Sequence, residues 1–225
     1  MQIEREFLYN ITMFETVLYF IPFWVILAFS VIVHECAHAI AAYRLGDPTA
    51  YLAGRITLNP IKHIDLVWTI VIPLITYFWG GFIFGGAKPV PINPYNFRDA
   101  NKGMMLSSLA GPLSNFLLAI LGFIGFFLSI KVLPLTGFFR ALNWNIFTMM
   151  VIINILLGLF NLIPIPPLDG SRVLRYFLPW HMKEGFDRIE QFGFIIIIIF
   201  IMTGGTSFIG KILYLVTALL SYIAS

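Results

Sequence analysis

The sequence predicts an all-α polytopic membrane protein with about five to six transmembrane helices, a re-entrant segment and a short β-like loop after the first helix. The first observation is composition: 59% of the 225 residues are hydrophobic and 11% are charged, whereas a soluble domain carries about 25% charged residues. The second is that the apolar runs are long and continuous, which favours helices. The third is that the basic residues lie between these runs, so the net charge of +3 indicates membrane topology rather than nucleic-acid binding.

A metal-binding pattern lies inside the first long apolar run, which we predict to be one span over 17–43. His34, Glu35 and His38 form an H-E-x-x-H sequence. Residues four apart share a helix face, so both imidazoles can reach one metal ion, and Glu35 is placed to take a proton from a water on that metal. Hydrogen bonding to neighbouring helices is the structural alternative, but ionisable residues within a membrane usually have a function.

Asp169 is the predicted third ligand, because a catalytic zinc is held by three protein side chains and a water. It is the aspartate that abuts a long apolar run, 141–162, and Pro164, Pro166 and Pro167 lie between the two. Prolines force non-helical backbone, which is tolerated near a membrane where it lines a cavity. The alternative is that Asp169 caps the N-terminus of a following helix.

The chain between these sites contains the less regular elements. A short strand is expected at 55–58. Residues 66–84 are apolar but contain proline and glycine, so they form either a full span or a re-entrant segment. Residues 88–94, Lys-Pro-Val-Pro-Ile-Asn-Pro, are expected to form an ordered extended loop. A further span is expected at 104–130.

The distribution of basic residues favours the re-entrant course for 66–84, because that course places more of them on one side of the membrane. Arg44 and Arg172 then emerge on the same face. His38 lies six residues before Arg44, which is about 9 Å along a helix axis, and Asp169 lies three residues before Arg172. The ligands therefore share a depth, and the predicted site is buried modestly below the cytoplasmic face.

Smaller expectations concern the chain ends and the cysteine. The N-terminus lacks the features of a signal peptide, so the first span should be retained. Residues 192–223 form either one span with a prefix or a tight hairpin. Cys36 is the single cysteine, so no internal disulfide is possible, and we expect a small packing residue turned away from His34 and His38.

Four segments resemble the site-2 protease family of intramembrane zinc metalloproteases (peptidase family M50), in its small branch without PDZ or CBS domains. They are His34-Glu35-Cys36-Ala37-His38, Lys88-Pro89-Val90-Pro91-Ile92-Asn93-Pro94, Ala110-Gly111-Pro112-Leu113-Ser114-Asn115 and Asn161-Leu162-Ile163-Pro164-Ile165-Pro166-Pro167-Leu168-Asp169-Gly170. The resemblance covers roughly residues 20–180. It implies one Zn²⁺ per chain with Asp169 as third ligand, Asn161 and Asn115 near the zinc holding substrate or the oxyanion, and a site that opens toward the cytoplasm.

The expected function is hydrolysis of a peptide bond in or near a transmembrane segment of a membrane-protein substrate, as in regulated intramembrane proteolysis. Glu35 is the expected general base, and Asn161 and Asn115 are the expected oxyanion donors; interhelical hydrogen bonding is the alternative for both asparagines. Residues 1–225 are expected to form one membrane-embedded peptidase domain in the cell membrane. Its catalytic core lies at about 17–180, and a helical hairpin or single span follows at 188–225.

Two other functions compete with this expectation. A membrane metal transporter would show liganding residues at several depths along a path, whereas these form one cluster. A catalytically silent membrane scaffold is the second alternative, although every catalytic position is filled here. The expected partners are a transmembrane substrate and the lipid bilayer, with no nucleic acid.

Overall fold

The computed structural model describes residues 2–80, 85–131 and 137–224, and helices account for the regular structure in these ranges. In chain order they are α1 (Gln2–Arg44), α2 (Thr49–Leu52), α3 (Ile72–Gly80), α4 (Ala100–Lys131), α5 (Gly137–Asn161), α6 (Asp169–Phe177), α7 (Trp180–Glu190), α8 (Gly193–Met202) and α9 (Ser207–Ala224). A π-helical stretch, Leu66–Val71, leads into α3, and short 3₁₀ turns lie at Pro60–His63 and Pro94–Asn96. The predicted loop between the spans at 104–130 and 141–162 includes residues 132–136, which lie outside the described residues.

Four helices are long and apolar enough to cross a membrane. They are Tyr19–Arg44, Ala100–Lys131, Leu142–Asn161 and Ser207–Ala224, and two shorter apolar helices lie at Leu66–Phe78 and Gly193–Met202. The predicted all-α polytopic membrane protein is therefore confirmed. A total of five to six crossings requires one or both of the shorter helices to cross as well, so that number stays a prediction.

Helix α4 lies at the centre of the fold and packs against α1, α5 and α6. Glycines on α4 allow α5 to approach: a Cβ at Gly122 would lie 3.1 Å from the Met150 side chain, and one at Gly125 would lie 2.2 Å from the Phe147 ring. Small residues are the usual means by which membrane helices pack closely. Phe126 completes this contact in a buried cluster with residues of α5 and α9.

The short strand predicted at 55–58 is not found among the described residues. Residues 49–52 form the short helix α2, and the chain that follows is irregular. The Thr57 carbonyl oxygen, which would accept from a neighbouring strand, is bound by side chains instead. Cys36 Sγ donates to it at 3.0 Å, and His63 Nε2 donates to it at 2.8 Å. Tertiary contacts from α1 and from the Pro60–His63 turn therefore replace strand pairing here.

Residues 66–80 are helical, and residues 85–93 are extended or irregular. Asp65 caps the helical stretch by accepting the backbone N–H groups of Val67 and Trp68. Residues 81–84 of the predicted 66–84 segment lie outside the described residues, and 85–93 are non-helical, as the prolines predict. The Gly86 N–H donates to the Trp68 carbonyl at 3.0 Å, so the chain at 86 lies beside the start of the helical stretch.

The C-terminal tail consists of two helices rather than one continuous span. A turn at 203–206 separates α8 from α9, and Gly204 adopts a φ of +78° there, which glycine tolerates without strain. Ile197 of α8 and Ile209 of α9 are both buried in one cluster with Ile163 and Leu168. The tail therefore packs directly against the proline-rich connection that precedes Asp169.

Candidate active site

Three of the predicted site residues converge on one point. His34 and His38 lie one turn apart on α1, and their Nε2 atoms are 2.9 Å from each other. Asp169, the first residue of α6, places its Oδ2 atom 3.2 Å from His34 Nε2 and 3.3 Å from His38 Nε2. Both histidines are buried. Asp169, which follows His38 by 131 residues in the sequence, thus joins the two histidines in one group that could hold a metal ion.

The backbone after α5 determines where Asp169 lies. Leu168 occupies the N-cap position with extended backbone, and no side chain caps the helix, so the alternative reading of Asp169 as an N-cap is wrong. The next residue, Gly170, brings α6 against the end of α5, since a Cβ there would lie 2.1 Å from the Leu162 carbonyl oxygen. The prolines stop α5, and Gly170 then allows the close approach that aims the carboxylate at α1.

Gly111 of α4 forms the floor beneath the two imidazoles. A Cβ at this position would lie 2.4 Å from both Cε1 and Nε2 of His38, and 2.6 Å from Cε1 of His34. Contacts this short do not occur without displacement of the rings. The bare backbone of Gly111 is therefore a condition for the observed placement of His34 and His38.

Hydrogen bonds determine which nitrogen of each histidine carries the proton. His38 Nδ1 is 2.7 Å from the carbonyl oxygen of Ser107, and a carbonyl can only accept, so Nδ1 is the protonated nitrogen. His34 Nδ1 lies 2.6 Å from Asn115 Oδ1 and donates to it in the same way. In the neutral imidazoles, the Nε2 lone pairs therefore face each other and Asp169.

This arrangement fits a zinc ion. Asp169 Oδ2 is buried and has no hydrogen-bond partner among the residues that the structure describes, and two unprotonated Nε2 atoms cannot donate to it. Three lone pairs that face each other without a proton between them need a cation. A tetrahedral zinc with bonds of roughly 2.0–2.1 Å to nitrogen and oxygen separates its ligands by about 3.3 Å. The separations between Asp169 Oδ2 and the two Nε2 atoms, 3.2 and 3.3 Å, are close to this, and the two Nε2 atoms lie nearer to each other, at 2.9 Å.

Glu35 is held by the extended proline segment, residues 88–94. The backbone N–H of Val90 donates to Glu35 Oε2 at 3.1 Å. Val90 stands between Pro89 and Pro91, which have no N–H. The segment thus contacts the predicted general base through one backbone donor.

Both ends of the proline segment are anchored to buried side chains. At one end the Arg55 guanidinium donates to the Lys88 carbonyl. At the other, Asp47 accepts the Asn93 N–H at 2.7 Å and the Asn96 side-chain amide at 2.8 Å, and it also accepts from Thr49.

Burial opposes ionisation of Asp47, but these hydrogen bonds outweigh the cost of burial and hold the pKa of Asp47 below the usual range. Sequence reasoning missed this anchor, since an acid just after a helix looks like an ordinary loop residue.

A buried polar network lies behind His34. Asn115 Nδ2 donates to Asn154 Oδ1 at 2.9 Å and to the Ser30 carbonyl at 3.4 Å, and Asn154 Nδ2 donates to Ser30 Oγ at 2.8 Å. All three residues are fully buried. Sequence reasoning did not single out Asn154 or Ser30, although each is a polar residue in an apolar run, and Ser30 lies one helical turn before His34.

The two predicted oxyanion donors differ in their surroundings. Asn115 uses its amide hydrogens inside the network just described, which matches the alternative of interhelical hydrogen bonding. Asn161 is the last residue of α5 and is half-buried. Its Nδ2 donates to Leu157 of the same helix at 2.9 Å. The oxyanion role of Asn161 stays a prediction.

These features define a class of protein: a polytopic membrane metalloprotease in which an H-E-x-x-H helix and a carboxylate from another element meet between spanning helices. The pattern described as Peptidase family M50 matches residues 22–143 and 138–204. The chain belongs to this family. It is a zinc metalloprotease of the site-2 protease type, which confirms the predictions of the enzyme class and of zinc as the cofactor.

Similar proteins carry names that agree with this assignment. The chain is 39% identical over 188 residues to "Putative zinc metalloprotease YwhC" of Bacillus subtilis (strain 168), covering 81% of each chain. It is 30% identical over 179 residues to "Putative zinc metalloprotease Rip2" of Mycolicibacterium smegmatis, covering 77% of this chain and 64% of that protein. The Rip2 protein of Mycobacterium tuberculosis (strain H37Rv) is 26% identical over 170 residues. No solved structure matches the chain.

Proposed function

We propose that this protease hydrolyses a peptide bond within or beside a transmembrane segment of a membrane-protein substrate, as in regulated intramembrane proteolysis. One observation carries the proposal: the three metal-binding side chains lie among helices that are apolar enough to cross a membrane. His34 and His38 belong to the candidate span Tyr19–Arg44, and Gly111 beneath them belongs to Ala100–Lys131. A substrate bond must therefore enter the membrane-embedded part of the protein to reach them.

The proposed mechanism assigns each side chain a task. His34, His38 and Asp169 would hold the zinc ion, which would supply Lewis acidity toward the scissile carbonyl and the attacking water. Glu35 accepts a proton from that water and later returns it to the leaving amine. The Val90 N–H donates to Oε2 of Glu35, and the other carboxylate oxygen, which has no hydrogen-bond donor among the described residues, is assigned the proton transfer.

The two asparagines receive different roles in this proposal. Asn115 orients His34 by accepting from Nδ1, and such partners of metal ligands set ring orientation and ligand basicity. Both amide hydrogens of Asn115 are already bound, whereas the Asn161 amide donates one hydrogen bond, to the Leu157 carbonyl, among the described residues. Asn161 is therefore the better candidate for the oxyanion donor.

The proposed location is the cell membrane, with the site opening toward the cytoplasmic face. Arg44 ends α1, and Arg98 and Lys102 flank the start of α4, so basic residues gather at one end of two neighbouring spans, as on the cytoplasmic side. The hydrogen bonds from Gly86 to Trp68 and from Lys88 to His63 support a re-entrant course for 66–84, with both ends on that side.

The deciding experiment compares Glu35→Gln with Glu184→Gln, an exposed glutamate on α7, in proteoliposomes that contain single-span test substrates. We expect Glu35→Gln to keep its zinc and its fold and to lose cleavage, while Glu184→Gln cleaves normally. Cleavage by Glu35→Gln contradicts the proposed mechanism. If the wild type cleaves soluble peptides but no membrane-spanning substrate, the proposed substrate class is wrong.

The ligand role of Asp169 has its own test. Asp169→Ala leaves two of the three donors, so its zinc content after dialysis against a weak chelator is expected to fall well below that of the wild type. An unchanged stoichiometry removes Asp169 from the ligand set. The transporter alternative is favoured instead if the protein carries zinc into vesicles and the Glu35→Gln variant does so at the same rate.

A further inference from the structure

A cavity of about 350 Å³ lies where the C-terminal end of α1 meets the N-terminal end of α4. This volume falls within the range of small-molecule sites. None of the proposed zinc ligands lines it. The lining residues are Arg44, Leu45, Arg98, Asp99, Lys102, Gly103 and Leu106.

The cavity carries an excess of positive charge. Three cations, Arg44, Arg98 and Lys102, meet one carboxylate, Asp99, whose Oδ1 accepts the backbone N–H of Lys102 as a helix cap. Within the described part of the chain, none of the three cations forms an ion pair. A concave site with unpaired cations from two elements favours an anionic ligand.

The cavity lies at the edge of the membrane-spanning region. Arg44 is the last residue of one candidate span, and Arg98 and Lys102 flank the first residue of another, Ala100. The two helix ends meet at the same level because they line the same cavity. This is the level at which lipid headgroups lie, and basic pockets between transmembrane helices bind anionic headgroups.

The cavity is amphipathic. Its rim consists of the exposed Arg44, Arg98 and Lys102, whereas Leu45 and Leu106 are half-buried and Gly103 is buried. A Cβ at Gly103 would lie 2.3 Å from the Phe97 ring, so that ring packs directly beneath the floor. A phospholipid carries an anionic phosphodiester next to apolar acyl chains and so matches both parts, whereas free phosphate would use only the rim.

We propose that this cavity binds the headgroup of an anionic phospholipid. The ligand would bridge the ends of the two helices that place His38, because Leu106 lines the cavity and the adjacent Ser107 carbonyl accepts from His38 Nδ1. Binding at this position stabilises the α1–α4 pair by mass action. The inference goes beyond proteolysis and does not depend on it.

The test measures thermal unfolding of the detergent-purified protein with added phosphatidylglycerol, phosphatidylcholine or inorganic phosphate. Phosphatidylglycerol is expected to raise the unfolding temperature of the wild type more than the other two. The variant Arg98→Gln/Lys102→Gln is expected to bind it roughly tens of times more weakly. The matched control Lys62→Gln/Lys183→Gln also removes two cations, one exposed and one half-buried, but neither lines the cavity, and it is expected to respond as the wild type does.

Two results with the wild type, the charge variant and its control overturn the proposal. One is an equal response of all three proteins to phosphatidylglycerol, which indicates general surface attraction. The other is protection of the wild type by inorganic phosphate that matches or exceeds that by phosphatidylglycerol. Leu106→Trp keeps all cations and fills the floor, so it guards against a folding defect in the charge variant. It is expected to lose the response to phosphatidylglycerol, and a full response contradicts the proposed site.

Discussion

The backbone N–H of Val90 lies 3.1 Å from the carboxylate of Glu35, 55 residues earlier in the chain. This contact joins the extended proline segment to the proposed general base. Asp47 and Arg55 anchor the segment at either end, so the donor is held in place by buried polar groups rather than by helix or sheet pairing. We infer that the segment positions Glu35 for proton transfer.

Val90→Pro removes this N–H while keeping the extended backbone that the neighbouring prolines already impose. A hydrogen bond to a charged group contributes about 1.5–3 kcal/mol, so we expect kcat to fall roughly 10- to 100-fold with zinc content unchanged. Val90→Ala keeps the N–H and serves as the matched control. If Val90→Ala loses as much activity as Val90→Pro, the side chain and not the N–H is responsible.

Asp47→Asn tests the anchor of the proline segment. The amide places a donor where the carboxylate accepted the Asn93 N–H, so we expect a loss of about 1–3 kcal/mol in the free energy of unfolding at neutral pH. Although burial opposes ionisation, the hydrogen bonds hold the pKa of Asp47 in the folded protein below the ordinary aspartate value of 3.8. Its stabilisation is therefore complete above that value and is lost as the pH falls through the lower, folded pKa.

Unfolding of the wild type and Asp47→Asn should be followed by thermal denaturation from neutral pH to about pH 3, which begins well above the ordinary aspartate pKa and ends below it. The difference between the two proteins is expected to narrow below a pH of about 4. Other titrating carboxylates, such as Asp187, are present in both proteins and cancel in the difference. A difference that stays constant over the whole range shows that the Asp47 charge does not stabilise the fold.

Asn154→Leu interrupts the polar network behind His34. Asn115 then loses the acceptor that fixes its amide, and His34 loses its orientation, so we expect zinc affinity to fall roughly 10- to 100-fold. Competition with a chelator measures this directly. Ser129→Ala is the control, because Ser129 is also a buried polar residue but donates only to Phe126 of its own helix. Lower thermal stability of Asn154→Leu with unchanged zinc affinity contradicts the positioning role.

Gly111→Ala places a methyl group where the two imidazoles lie. The rings must move, so we expect a substantial loss of bound zinc and of activity. Gly210→Ala is the matched control: this glycine also lies in an apolar helix, but nothing lies within 4 Å of its added Cβ. Metal analysis of the two purified variants decides the point. Full zinc occupancy in Gly111→Ala shows that the site tolerates the displacement.

Much of the site could be predicted because its signals are local. His34 and His38 lie four residues apart, and helix geometry alone places them on one face. The three prolines before Asp169 predict a break in the helix, and the structure shows α5 ending at Asn161 and the carboxylate near the histidines. Local composition also predicts a short strand at 55–58. This prediction is wrong, because the side chains of Cys36 and His63 bind the Thr57 carbonyl.

The sequence by itself determined the membrane class, the helical architecture, the H-E-x-x-H pair and the choice of Asp169 among the aspartates. Composition, periodicity and the restricted backbone of proline act over a few residues, so they can be read from the chain. Only the tertiary structure decided that Val90 contacts Glu35, that Asn154 and Ser30 lie behind His34, and that three cations share one cavity. Those contacts join residues far apart in sequence, and tertiary packing brings them together: α4 packs against α1 and α5, and Asp47 and Arg55 anchor the proline segment beside α1.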